Sequence, residues 1–183
     1  MGMNAIKDNL SDYAKDIKLN LSNLMNNGAQ DGLTEKQVWA IALATAYSTK
    51  NQNIIIAIEK GVEQFLTNME INAIKGATTI MAMNNIYYRF IHEVSDKTFA
   101  TLPAKLRMNI LVNHGMEKID FELCSLAVSA INGCGLCMDS HTKTLLKHEV
   151  SYESIQMSIR IAAIINALAQ TLSINDNSII QSA

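Results

Sequence analysis

The chain has 183 residues, with fifteen Lys and Arg against seventeen Asp and Glu for a net charge of −2. That length suits one domain with a sizeable core, and the charge balance offers none of the basic surplus that nucleic acid requires. Hydrophobic residues at 49% against 17% charged exclude a disordered chain, while one proline and eight glycines leave few breakers and point to helices with short connections.

In chain order, Ile6, Leu10, Tyr13, Ile17, Leu21 and Leu24 recur every three or four residues and predict one amphipathic helix, closed by Asn26-Asn27-Gly28. Thr34-Glu35-Lys36-Gln37 reads as a capping box opening a second helix to about Tyr47. A third is predicted from Asn51 to Phe65, and Glu70 to Val94 holds a long one rich in Ala and Met. Ser95-Asp96 and Pro103 punctuate the middle. Asp120 is placed to cap a helix through Ile131, which Asn132-Gly133 ends. Another helix starts near Cys134 and runs to about His148, and Ser151 caps a last one through about Leu172. No segment alternates as a strand would, so the fold class is all-α. No apolar run approaches the roughly 18 residues of a membrane helix.

The chain also repeats itself faintly. Ile41–Tyr47 can be laid over Ser125–Ile131, and Ala73–Tyr88 over Ser154–Ala169. The expected organisation is one domain over 1–183 with two related helical halves, about 1–95 and about 104–175. Lys50 would then align with Cys134, confining any cysteine chemistry to the second half.

Three cysteines are too few for a disulfide-stapled secreted scaffold, and no secretory signal is evident, so the expected compartment is the cytoplasm. The informative stretch is Asn132-Gly-Cys-Gly-Leu-Cys-Met-Asp-Ser-His141. On a helix starting at Gly133, Cys134, Cys137 and His141 share one face. The two sulfurs sit in its first turn, where unsatisfied N–H groups and the helix dipole favour a thiolate. Glu122 lies on the preceding helix, roughly 13 Å back from the hairpin end, and His141 lies roughly 10 Å back on the returning helix. That near-level placement suggests a relay. Glu122 orients His141, His141 takes a proton from Cys137, and Cys134 completes a disulfide.

Other readings compete. Cys134, Cys137 and His141 could form part of a zinc site, completed by Cys124, His114, His148 or Glu122, in a zinc-stabilised interaction module. Haem attachment is excluded, since Met138 rather than His follows the second cysteine, and a thioredoxin-type βαβ pattern is missing. Cys124 reads as a small buried thiol, and His92, His114 and His148 as surface or capping residues. The ten methionines, Met81 and Met83 among them, read as core filling, and Trp39 as a core or subunit-contact anchor.

The stretch Phe121–His141 is similar to the AhpD-type alkyl hydroperoxidases of the carboxymuconolactone-decarboxylase-like superfamily. It contains their Glu, eleven intervening residues, C-x-x-C, three more residues and His. The segment Met81-Ala-Met-Asn-Asn-Ile-Tyr-Tyr-Arg-Phe90 resembles a second part of the family pattern. The resemblance implies an all-helical fold of two halves and a homotrimer. It further implies an antioxidant thiol peroxidase that reduces organic hydroperoxides. The implied partners are a peroxiredoxin of the AhpC type and a lipoyl-bearing protein, with dihydrolipoamide as the reducing co-substrate and no tightly bound cofactor or metal. On the matching positions, Cys137 would be the peroxide-reactive thiol that passes through a sulfenic acid. Cys134 would be the proton-donating, resolving thiol, His141 the base and Glu122 its relay partner. Two positions depart: Leu136 stands where family members carry a second His, and Cys124 where they tend to carry Trp. A non-redox decarboxylase of the same superfamily is the alternative, in which a C-x-x-C is not expected.

Overall fold

Eight α-helices and three short 3-10 turns make up the computed structural model, which describes residues 2–27 and 31–180; no strand occurs among the described residues. The all-α class is as expected. The predicted opening helix is instead two: α1 (Met3–Asp8) and, after a 3-10 turn at Asp12–Ala14, α2 (Lys15–Asn27). Asn9, Ser11 and Asp12 are residues that compete for backbone hydrogen bonds. Accordingly, the Asn9 amide donates to the Ala5 carbonyl at 2.8 Å and ends the first helix. Gly28, assigned to the end of α2, lies outside the described residues.

The next helix, α3 (Glu35–Thr49), begins at the expected capping box: the Gln37 N–H donates to Thr34 Oγ1 and the Thr34 N–H to Gln37 Oε1. Asn51 caps α4 (Gln52–Val62) through Oδ1. A second box, Thr67 with Glu70, opens α5 (Asn68–Glu93), two residues ahead of the expected start. Then come 3-10 turns at Lys97–Thr101 and Asn109–Leu111, followed by α6 (Lys118–Ile131), α7 (Gly135–Lys147) and α8 (Tyr152–Ile180). Asp120 does not cap α6. It is buried in the first turn and accepts from Gln37 Nε2 at 2.8 Å, pinning the start of α6 to that of α3. Ser151 does cap α8, its Oγ accepting from the Ser154 N–H, but that helix continues past Leu172.

Helices α3 and α6 form the axis of the molecule. Each is buried on almost every side: Ala40 through Ala46 in α3, and Leu123 through Ser129 in α6, are all buried. Such helices need neighbours all round, and α4, α5 and α8 cover α3 while α5, α7 and α8 cover α6. Some buried hydroxyls are satisfied within their own turns, as in Thr45 to the Ile41 carbonyl and Ser158 to that of Ile155. Trp39 is half-buried and stacks on Phe65 at 5.6 Å, a core contact. A Cβ on Gly61 would meet its ring at 2.6 Å, so only glycine admits the indole there.

The segment Tyr152–Ile174 of α8 corrects one expectation. With a mean hydropathy of 1.4 it is long and apolar enough to cross a membrane by length and composition. Ser158, Arg160 and Asn166 interrupt the run and hide it from a simple count. Here Ile161, Ile165 and Leu168 on one face are buried, and the helix lies against α3 and α6 as a core element.

The link from α6 to α7 positions the cysteines. Gly133, at φ +70°, takes the left-handed conformation, its N–H donates to the Ala130 carbonyl, and the Cys134 N–H donates to that of Ser129. This is a Schellman ending, and the residue completing it, Cys134, is also the N-cap of α7. The α3–α4 link makes a similar turn, with Lys50 left-handed at φ +60° and Asn51 as the cap. In this turn Asn51, not Lys50, holds the position that Cys134 holds in the other, so the register of the expected alignment shifts by one residue.

Candidate active site

Cys134 and Cys137 are joined as a disulfide, with Cα atoms 5.3 Å apart. Cys134 sits at an N-cap, where an oxygen-bearing side chain is usual. Its Sγ nevertheless accepts the Cys137 N–H at 3.3 Å. Sulfur is a weak acceptor, and a cysteine at this position breaks a local rule in the way functional positions do. The cap bond directs the helix N-terminus, with its partial positive charge, at the Cys134 sulfur. Cys134 is fully enclosed, whereas Cys137 is 7% exposed and opens onto a cavity of about 340 Å³.

The imidazole of His141 lines the same cavity. Its Nδ1 lies 2.7 Å from Glu122 Oε2, a direct contact with both side chains largely shielded. An ionised carboxylate only accepts, so Nδ1 carries the hydrogen and Nε2 is left as the atom that takes or gives a proton. Nε2 faces Met81 Sδ at 3.3 Å. Met81 is a core residue, at 2% exposure, and also the third wall of the imidazole site.

Behind Met81 runs a polar network that carries the cysteine turn. The amide of Asn85 donates to Ser129 Oγ and accepts from the Asn132 amide, both at 2.9 Å. Arg89 Nη1 donates to the Asn132 carbonyl at 2.7 Å, and Ser129 Oγ lies 3.5 Å from Met81 Sδ. Helix α5 thus holds the cysteine turn through Asn85 and Arg89 and the imidazole through Met81. Sequence spacing alone missed all three. The signal was an asparagine pair, Asn84-Asn85, inside the otherwise apolar run Ile80–Tyr88, within the stretch already similar to the family pattern.

The remaining candidates fall elsewhere. Cys124 is a free, fully buried thiol. Burial pushes its ionisation well above the ordinary range, with the Asp120 carboxylate adding to the effect, so it remains a thiol. His114 stacks on Phe121 at 4.2 Å; His92 and His148 are exposed at or near helix ends. Among the described residues no three His, Cys, Asp or Glu side chains converge as a metal site would require.

Residues 97–174 match the carboxymuconolactone decarboxylase family. Over 164 residues the chain is 54% identical to the alkyl hydroperoxide reductase AhpD of Coxiella burnetii (strain RSA 493 / Nine Mile phase I), covering 90% of this chain and 93% of that protein. It is 49% identical over 172 residues to the AhpD of Maricaulis maris (strain MCS10), covering 94% and 98%. To that of Beijerinckia indica it is likewise 49% identical, covering 94% of each.

Proposed function

The chain belongs to the AhpD alkyl hydroperoxide reductase family, and from that membership we propose a thiol peroxidase cycle run by Cys137, Cys134, His141 and Glu122. In the reduced protein the Cys137 sulfur, facing the cavity as a thiolate, attacks the terminal oxygen of an organic hydroperoxide, ROOH. The O–O bond breaks, Cys137 becomes a sulfenic acid, and the departing alkoxide takes a proton from His141 Nε2 to leave as ROH. Glu122 holds the imidazole by Nδ1 and stabilises its positive charge, as the carboxylate does in other acid–histidine pairs. The Cys134 thiol then displaces hydroxide from the Cys137 sulfur. The S–S bond forms and one water leaves, carrying the Cys134 proton.

A dithiol returns the pair to its starting state by two exchange steps. Dihydrolipoamide, oxidised to lipoamide, supplies both electrons, and the cycle balances as ROOH plus dihydrolipoamide giving ROH, water and lipoamide. A lipoyl-bearing protein would present that dithiol, and a disulfide on an AhpC-type peroxiredoxin would be a second substrate for the same reduced pair. Disulfide chemistry is favoured over decarboxylation, despite the decarboxylase name of the matching family, because the two cysteines are already within bonding reach.

One observation carries this reading: a dithiol sulfur and a carboxylate-held imidazole open onto the same cavity. The test is to count free thiols before and after one equivalent of cumene hydroperoxide, then after dihydrolipoamide. Loss of two thiols and their recovery is expected. Unchanged thiols after the peroxide would overturn the proposal.

A further inference from the structure

Helix α5 sends Met81, Asn84 and Tyr88 into the cavity beside Cys137, at spacings of three and four along one face. Met81 serves the imidazole, and the neighbouring Asn85 has both ends of its amide engaged. Asn84 differs. It is 4% exposed, yet its Oδ1 has no hydrogen-bond partner. Buried carbonyls are nearly always paired, and one left open on a cavity wall is satisfied when something fills the cavity.

We infer that Asn84 seats the hydroperoxide beside Cys137, its Oδ1 accepting the peroxide O–H while its Nδ2 donates to the oxygen that departs. A hydroperoxide group carries one donor and adjacent acceptors, and a carboxamide carries the complementary set. Accepting from the terminal O–H turns that oxygen toward the sulfur. Donating to the inner oxygen stabilises the charge that grows there as the O–O bond breaks. Met108, Leu111 and Leu136 give the wall an apolar stretch, beside the polar Ser140 and the ring of Tyr88. That apolar stretch leaves room for the organic tail of the hydroperoxide once Asn84 holds its O–O–H group. Hydrogen peroxide would use the Asn84 contact but leave the apolar wall unfilled.

This inference rests on the peroxidase reading, and one experiment separates the two. Consumption of cumene hydroperoxide is followed for the full-length protein and for Asn84→Leu and Asn84→Ser, beside re-reduction of the disulfide by dithiothreitol. Loss of the contact in Asn84→Leu should lower kcat/KM for the peroxide by about tenfold. Asn84→Ser, which keeps a donor and an acceptor, should recover part of the loss, and dithiothreitol should re-reduce all three proteins alike. Unmodified protein that does not consume the peroxide would overturn the peroxidase reading itself. If it does consume it, and both variants stay within about twofold of it, the role of Asn84 alone is overturned. A slowed dithiothreitol step in step with the peroxide loss would likewise overturn it, as damage to the dithiol rather than to peroxide binding.

Discussion

His141 and Glu122, nineteen residues apart on antiparallel neighbours, meet at 2.7 Å between Nδ1 and Oε2. The tight Gly133 turn sets this register. It lets α7 return along α6 with the imidazole level with the carboxylate, leaving Nε2 free toward Met81 and the cavity.

If that contact tunes the base, Glu122→Gln keeps a hydrogen-bond acceptor but removes the charge. Peroxide consumption should fall by about ten- to a hundredfold, with the pH–rate profile displaced toward acid pH, because the imidazolium that protonates the alkoxide loses its anionic partner. A slower enzyme with an unmoved profile would show that Glu122 acts only in packing.

Thiol accounting distinguishes the three cysteines. Native oxidised protein should react with no thiol reagent, because two cysteines are bonded and Cys124 is enclosed. After reduction Cys137, which opens onto the cavity, should titrate ahead of the enclosed Cys134 and Cys124, and all three should titrate in denaturant. Cys137→Ser should abolish peroxide consumption. Cys134→Ser should complete one turnover and stop at a sulfenic acid that dimedone traps; trapping in Cys137→Ser instead would reverse the two roles.

Met81→Leu conserves volume, so it should cost less than about 1.5 kcal/mol in denaturant unfolding. It removes the sulfur that faces Nε2, and peroxide turnover should drop about two- to fivefold. Wild-type turnover would reduce Met81 to a packing residue.

Glu70 supplies a pH signature remote from the site. Burial is the largest single influence on its carboxyl and opposes ionisation. Lys36, with the Thr67 N–H and hydroxyl, outweighs it and holds the group below its ordinary value near 4.5. A depressed value stabilises the fold above pH 4.5 and ceases to do so as the pH falls through the folded value. Glu70→Gln preserves the capping box and isolates this charge. It should lose less than about 1 kcal/mol at pH 7, because Lys36 is partly exposed. That deficit should shrink in urea melts taken below pH 4.5. A deficit constant with pH would locate the contribution in the hydrogen bonds instead.

The local motifs in this chain determined most of its helix boundaries and its redox motif. Thr34-x-x-Gln37 caps a helix because both partners lie within one turn. Cys134, Cys137 and His141 share a face because 3.6 residues make a turn. Even the Glu122 pairing was readable, since the short link Asn132–Cys134 returns α7 alongside α6. The first helix and Asp120 were misread because short polar side chains at Asn9 and Asp120 found partners that periodicity does not register. Met81, Asn84, Asn85 and Arg89 come from a helix about 50 residues earlier, and only tertiary packing brings them to the cysteines. No spacing rule relates two helices so far apart in sequence. Their facing residues follow from the crossing and sliding of α5 on α6, which the whole core fixes at once.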